Sequence, residues 1–391
     1  MHDVHYGRNY SVLIIGGGPA GLATAMELVR CGIAATVIER STYNDVRIGE
    51  HLTPAGVLQL RALDPGLSTL TSPHGRSAGV TAYWGSTAAN HTDYFLHPGQ
   101  GGLNLSRPRF DTELAQAAET SGATVLRSAS LKLALRTKAG WAVDVEKDGR
   151  IARFVVPFIV DATGHVAKFS RQQGAKILVH DRQVALVAFQ DSSDDAYVNT
   201  RSIVETAEDG WWYHACIKAP RSVCMFITDS DLLPGGGKHV LYDWWLQQLG
   251  RAHHMPRQSG KVTDFFIRSA SSQCLDVPVG LGWLAVGDAA MAFDPLASQG
   301  IAKALNHGSR AASAIFAHFR RDELSLMRFA EHLRREYVDL RFTRAQYYQL
   351  ESRWPRSTFW RRRNRLPTQE KLSELEGREE ERFIKSHRKT R

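Results

Sequence analysis

The sequence predicts an α/β protein in three parts. A Rossmann-like dinucleotide-binding domain is interrupted by a mostly antiparallel β-sheet, and a helical region follows at the C-terminus. Three observations predict it. A strand, a Gly-rich turn, a helix and a second strand open the chain. A strand running into Gly-Asp stands about 270 residues further on. Between them lies a stretch of strand-like runs broken by one short helix.

The first unit is Ser11 to Arg40. Val12-Leu13-Ile14-Ile15 has the length of a buried parallel strand. Gly16-x-Gly18-x-x-Gly21 follows, with Pro19 and Ala20 between the last two glycines. A helical pattern then places Leu22, Ala25, Met26 and Val29 on one face. Ala35 to Ile38 forms the second strand and ends in Glu39-Arg40, an acid roughly 20 residues beyond the glycines. Gly16 allows the tight turn, Gly18 lets backbone approach a pyrophosphate, and Gly21 permits close helix–strand packing. Unpaired N–H groups and the positive dipole end at the helix start favour phosphate. Glu39 can accept hydrogen bonds from ribose hydroxyls.

The later segments fall in order. Gly75 to Leu105 reads as short strands with a Gly-rich turn over 97–102. Phe110 to Ser121 reads as a helix and Ala123 to Leu126 as a strand. Trp141–Val145 and Phe154–Val156 read as a hairpin turning at Asp148-Gly149. Phe158 to Gly164 returns to the nucleotide domain through Asp161-Ala162-Thr163-Gly164. Strand-like runs follow at 184–189, 211–217, 223–227 and 264–267, with a helix near Val240–Leu249. Leu284-Ala285-Val286 then leads into Gly287-Asp288, Pro295 and Gly300-Ile301, and Ala302 to about Gln349 is helical. This assigns 1–74, 103–182 and 270–325 to the dinucleotide domain, 75–102 and 183–269 to the sheet domain, and 326–391 to the C-terminal region.

Composition narrows the function. No run of 18 apolar residues predicts a membrane span, and the N-terminus lacks a signal-peptide core. A cytoplasmic protein with no membrane association is expected. Cys31, Cys216, Cys224 and Cys274 show no metal-like spacing, and the adjacent His253-His254 is no ligand pair, so no metal is expected. The formal charge is +9, and the segment from Arg356 to Arg391 holds 12 Lys/Arg against 6 Asp/Glu. No nucleic-acid motif accompanies this charge, so nucleic acid is not expected. The tail reads either as a solvated C-terminal helix or as a dock for an acidic protein or peptide, through Arg361, Arg362, Arg363 and Arg365 with Trp354, Phe359 and Trp360.

The Gly16–Gly21 fingerprint, Arg107-x-x-Phe110-Asp111, Asp161-x-x-Gly164, and Gly287-Asp288 with Pro295 and Gly300 stand in one order. Together they resemble the p-hydroxybenzoate-hydroxylase type of flavin monooxygenase over about the first 310 residues. The resemblance implies FAD as cofactor. It puts Arg107 near the pyrophosphate and ribityl chain, Asp161 near the dinucleotide, and Asp288 on the ribityl chain. The helix start at Gly300-Ile301 then faces the flavin's pyrimidine edge, where reduced flavin carries negative charge. Electrons would come from NAD(P)H directly or through a separate flavin reductase.

Gly49-Glu50 with Pro54, and Asp209-Gly210-Trp211-Trp212-Tyr213, resemble the branch of flavin-dependent tryptophan halogenases and their non-halogenating relatives. The halogenases' lysine would fall near Val80, where none exists, and their Trp-x-Trp-x-Ile-Pro is absent. What remains is most similar to flavoproteins that modify a protein-bound tryptophan to build tryptophylquinone cofactors. The implied reaction is hydroxylation of an electron-rich ring through a flavin C4a-hydroperoxide. A small-molecule aromatic hydroxylase, a halogenase and a non-enzymatic flavoprotein chaperone stay open as alternatives. Glu50, His51 and His214 are the candidate catalytic groups. Trp84, Trp211, Trp212 and Tyr213 are the candidate aromatic wall for the substrate; alternate members can equally fill a core.

Overall fold

The apolar run at the start of the chain forms the centre of a six-stranded sheet. The computed structural model describes residues 11–64, 66–67, 74–97, 101–192, 200–256 and 260–364. Its helices are α1 (Pro19–Arg30), α2 (Pro54–Leu63), α3 (Arg107–Thr120), α4 (Lys168–Gln172), α5 (Lys238–Leu249), α6 (Gly300–Phe319), α7 (Ser325–Gln349) and α8 (Thr358–Arg363). The sheet order is Val279–Gly280, Trp283–Ala285, Phe158–Asp161, Ser11–Ile15, Ala34–Ile38, Thr124–Leu126. All neighbours are parallel except the first pair. Ile15 lies beside Asp161, and Asp161 beside Ala285. That register brings all three motifs to one edge, the carboxyl ends of the strands, where open α/β sheets bind ligands.

Helices α1 and α6 pack on each other above this edge. Gly308 is what lets them approach: a Cβ there would stand 2.7 Å from the Ala20 carbonyl oxygen and the Ala23 methyl. The expected hairpin is present as Gly140–Lys147 and Arg150–Val156, with a third strand, Ala129–Thr137. Asp148 and Gly149 both have positive φ, as a two-residue turn of this hand requires.

The inserted sheet has seven strands, in the order Gly260–Ser269, Gln183–Ser192, Arg221–Asp229, Gly210–Lys218, Arg201–Ala207, Gly79–Tyr83, Asn90–Asp93. Only Arg201–Ala207 with Gly79–Tyr83 is parallel; the strand Arg201–Ala207 is not foreseen from sequence. The sheet buries both faces. One carries Trp212, Cys224, Phe226 and Phe265 under α5, centred on Trp245. The other carries Trp211, Tyr213, Met225 and Ile227, and meets Val46, Ile48 and Leu296 of the flanking domain. A small sheet of His51–Leu52, Gly102–Asn104 and Gly75–Ser77 sits at the seam. Gly75 is obligatory there, because a Cβ would lie 2.0 Å from the Ile217 carbonyl oxygen.

The helical region after Ala302 is two helices, broken where Arg321 takes φ +70°. Beyond α7 the chain crosses the second face of the seven-stranded sheet. Tyr348, Phe359 and Trp360 are fully buried in that face, with Trp354 packed against them. Burying such a side chain stabilises by roughly 1.5–3 kcal/mol, so this segment is part of the core. Among the described residues no helix is long and apolar enough to cross a membrane.

Candidate functional site

At the sheet's carboxyl edge the chain builds two open helix starts. Gly16 has φ +111°, and a Cβ there would stand 2.2 Å from the Ala162 carbonyl oxygen. A Cβ on Gly21 would stand 2.1 Å from the Gly16 carbonyl oxygen. These two glycines therefore serve packing. Gly18 differs: a Cβ added there meets no protein atom within 4 Å, and the same is true of Gly300 at the start of α6. Space is thus kept at the first turns of α1 and α6, whose leading N–H groups lack helical acceptors. Pro19 begins α1, and Ala20 is buried against Gly287.

Glu39 is buried at the end of its strand. Its Oε2 accepts from the Gly17 N–H at 2.8 Å, and Oε1 accepts from Ser41 N–H and Oγ and from Arg47. Burial opposes its charge, but the hydrogen bonds from Ser41 and Gly17 and the Arg47 guanidinium outweigh it and hold the carboxyl below its ordinary range. Arg47, missed from sequence, also reaches Asp111 at 3.2 Å. Arg40 beside Glu39 is exposed.

Arg107 also pairs with Asp111, at 3.1 Å, and donates to the Ile48 carbonyl. Gly49, with φ +98°, leaves room for that guanidinium; a Cβ would stand 2.7 Å from Nη1. Arg107 therefore fixes the backbone that presents Glu50.

At the same sheet edge, Gly287 (φ +59°) and Asp288 follow the strand Trp283–Ala285. The Asp288 side chain is 50 % exposed, and its Oδ1 accepts from Lys303 Nζ at 2.9 Å. Asp294 caps the turn that holds Pro295, accepting from Leu296 N–H through Oδ1. Its Oδ2 accepts from Arg344 Nε at 2.5 Å and from the Tyr348 hydroxyl at 2.8 Å. That hydroxyl in turn accepts from Gln183 at 2.9 Å and Trp211 Nε1 at 3.0 Å. This buried network joins the turn before α6 to the inserted sheet and to α7. Ile301 is buried one residue into α6.

The expectation that Asp161 touches the cofactor is corrected. Its carboxylate is fully buried and accepts four hydrogen bonds, from the N–H and hydroxyl of Thr163 and of Ser170, at 2.6–3.0 Å. Four donors fill its acceptor sites, so Asp161 shapes the turn.

Polar side chains make up a second, buried compartment at the seam. Glu50 is 1 % exposed, and neither carboxylate oxygen has a side-chain hydrogen-bond partner among the described residues. Burial pushes its carboxyl up to about 7, with the backbone N–H of Glu50, the Arg107 charge and the backbone N–H of Gly49 working against the rise. His51 is buried next to it, with Nε2 3.2 Å from Ser77 Oγ and its ring stacked on Tyr94 at 5.7 Å. Burial lowers His51 to about 4, so it is neutral at pH 7. Tyr213 faces this compartment. Burial, then the nearby Glu50 carboxylate, raises its phenol. Asn104, not foreseen from sequence, donates to the Cys216 carbonyl at 2.8 Å and leaves Oδ1 buried and unpartnered. Glu50 Oε1 and Oε2, His51 Nδ1 and Asn104 Oδ1 are thus buried without a side-chain partner among the described residues, whereas the Tyr213 hydroxyl has Ser202 beside it. Native interiors rarely leave such atoms without a hydrogen-bond partner, whether protein or ordered water.

Strand alternation corrects the other expected site residues. Side chains along Gly210–Lys218 alternate between faces. Trp212 lies under Trp245, and His214, opposite Ile203 and Cys224, shares that face. Neither can join Tyr213, which excludes His214 as a catalytic group here. Trp84 and Trp211 lie on the correct face but pack into the C-terminal segment: Trp84 Nε1 donates to the Tyr347 carbonyl at 2.7 Å, and its ring meets Trp211, Tyr348 and Trp360 edge-on. Of the expected wall, Tyr213 alone borders Glu50.

Part of the expected basic dock is tied into the chain itself, with Arg363 buried and Arg362 exposed but paired. Arg363 is buried on Asp229 at 2.5 Å, and Arg362 bridges Asp229 and Asp231 at 2.8 and 2.7 Å. Phe359 and Trp360 are core. Arg361 is exposed, and Arg365 lies outside the described residues. Among the described residues no three His, Cys, Asp or Glu are grouped to hold a metal.

Two open helix starts at a parallel-sheet edge, a Gly-Asp turn and an abutting antiparallel sheet define an FAD-dependent oxidoreductase on the hydroxylase plan. The chain belongs to the FAD binding domain family, whose profile matches residues 9–340. It is 27 % identical to LodB of Marinomonas mediterranea, named as an FAD-dependent oxidoreductase, over 91 % of this chain and 97 % of LodB. In structure it is similar to the flavin-dependent halogenase CmlS, with TM-score 0.83 and 24 % identity over 95 % of this chain and 70 % of that one. It is also similar to QhpG, a peptidyl tryptophan dihydroxylase essential for tryptophylquinone cofactor biogenesis. There the TM-score is 0.75 and the identity 25 %, over 92 % of this chain and 80 % of QhpG.

Proposed function

We propose that this protein is an FAD-dependent monooxygenase that hydroxylates a tryptophan side chain of a protein or peptide during quinone cofactor formation. The observation that carries the reading is Glu50, a buried carboxylate with no side-chain partner at the seam between the cofactor domain and the inserted sheet. The likeness to QhpG and LodB supports it. So does the strand Gly79–Tyr83, which reads GVTAY and carries no lysine of the kind halogenases use.

Reduced FAD, with dioxygen, supplies an electrophilic oxygen atom when bound. The chain's own residues do the rest. Gly18 leaves space for the pyrophosphate, and Asp288 keeps an oxygen for a cofactor hydroxyl. Oxygen added to an indole carbon must be followed by loss of that carbon's proton to restore aromaticity. Glu50, with a carboxyl near 7, is matched to take that proton at neutral pH. A second oxygenation would start from a hydroxyindole, whose phenolic proton the same carboxylate can hold. His51 stays neutral and fixes the compartment through Ser77 and Tyr94. Burial of Glu50, His51 and Tyr213 limits the access of water to the Glu50 carboxyl.

A macromolecular substrate has a contact surface available. Phe95 and Leu96 are 88 % and 89 % exposed, directly after Tyr94, which lines the Glu50 compartment. The test is mass spectrometry of a tryptophan-containing peptide after incubation with the protein, FAD, a reductant and oxygen. A gain of one or two oxygens is expected. A halogen mass in the presence of halide, turnover of free tryptophan alone, or binding without turnover each refutes the reading.

A further inference from the structure

Two side chains of α6, one turn apart, reach back beneath the Gly287-Asp288 turn. His307 is fully buried and accepts from the Gly287 N–H through Nδ1 at 3.2 Å. Its proton is therefore on Nε2, 2.9 Å from Glu336. Lys303 is 7 % exposed. Its ammonium donates to Asp288 Oδ1 at 2.9 Å and to the Met291 carbonyl at 2.5 Å, and stands 5.6 Å from the Phe293 ring centre. A buried ammonium is costly unless paired and hydrogen-bonded. These three contacts fix where this one sits.

The pair is asymmetric. Lysine is enclosed, whereas Asp288 is half exposed and its Oδ2 makes no hydrogen bond to the described residues. An exposed aspartate alone would rotate freely. With one oxygen gripped from below, the other is held outward in one direction and stays an acceptor. Nothing in the fold needs that outward oxygen, since the Gly287 turn is already tied by His307.

We propose that Lys303 is a positioning residue for FAD, holding Asp288 ionised and oriented so that its free oxygen accepts a hydroxyl hydrogen from the cofactor's ribityl chain. The pair rests only on FAD binding, not on the reaction proposed above. The charged and titratable groups facing Asp288 are Lys303 and His307 from α6 and His165 from the turn after Asp161, with Glu336 and His332 of α7 behind His307. The protein packed around the half-exposed Asp288 opposes its charge, and the Lys303 ammonium outweighs this and holds the carboxyl below its ordinary range.

The experiment is a double-mutant cycle on FAD affinity of the full chain, read by flavin fluorescence quenching: wild type, Lys303→Met, Asp288→Asn and the double variant, with Lys303→Arg as rescue. If lysine acts through aspartate, each single variant weakens FAD at least tenfold. The double variant is then no weaker than Asp288→Asn, and Lys303→Arg recovers most of the loss. Additive losses, or wild-type affinity in Lys303→Met, would overturn the proposal. Thermal midpoints of the FAD-free variants separate misfolding from weakened binding, and Asp288→Asn, which removes no buried group, keeps the cycle readable.

Discussion

Replacing Glu50 by Gln separates the stability and the activity of one group. Its carboxyl rises from 4.5 to about 7 on folding, chiefly through burial. Between those values the unfolded chain is ionised while the native state keeps its proton. The native state then binds more protons, so stability falls as pH rises, and the fall ends above the folded value. A rise of about 2.5 units at 1.36 kcal/mol each is roughly 3 kcal/mol. Glutamine carries no such penalty. Urea unfolding of both proteins at saturating FAD, from pH 5 to 8.5, is the assay. Glu50→Gln is expected to match the wild type near pH 5 and to exceed it by about 3 kcal/mol at pH 8.5. Hydroxylation should fall by about 10²–10⁴-fold over the same range, as for loss of a general base. A stability difference that does not change between pH 5 and 8.5 would refute the claim that Glu50 is buried without a side-chain partner. Unchanged turnover would refute its role as proton acceptor.

Gly18→Val should abolish FAD binding while the FAD-free protein keeps its thermal midpoint, because the added side chain meets no protein atom. Gly16→Val should fail to fold, because its Cβ meets the Ala162 carbonyl; soluble yield distinguishes the two. Reversing Arg362 and Arg363 to Glu should unfold the C-terminal segment, placing two acids against Asp229 and Asp231, and should be read as a lowered midpoint before any effect on partner binding. Trp360→Ala, which removes a fully buried indole bonded to the Ala207 carbonyl, should cost about 3–5 kcal/mol in denaturant unfolding. Phe95→Ser with Leu96→Ser should lower kcat/KM for a protein substrate and leave a short tryptophan peptide unaffected; equal loss on both would remove the docking role.

The first βαβ unit was legible in the chain because its signals are local. A buried strand, glycines at fixed offsets and an amphipathic helix each follow from neighbours in sequence. The same holds for the Gly287-Asp288 turn and for the inserted sheet as a class. Glu50 and Arg107 could be picked out only by resemblance, since nothing local says that one fixes the backbone before the other. Which side chains meet was decided by pairing between distant strands. Alternation on Gly210–Lys218 sends Tyr213 toward Glu50 and His214 away from it, and only the packing of α5 on one face shows which is which. The basic C-terminal cluster shows the limit most clearly. Read along the chain, Arg362, Arg363, Phe359 and Trp360 form a charged, aromatic dock. Folded, they meet Asp229, Asp231 and the sheet, about 130 residues earlier. Charge and apolarity are properties of residues, but whether they face water or a partner within the chain is a property of long-range contacts.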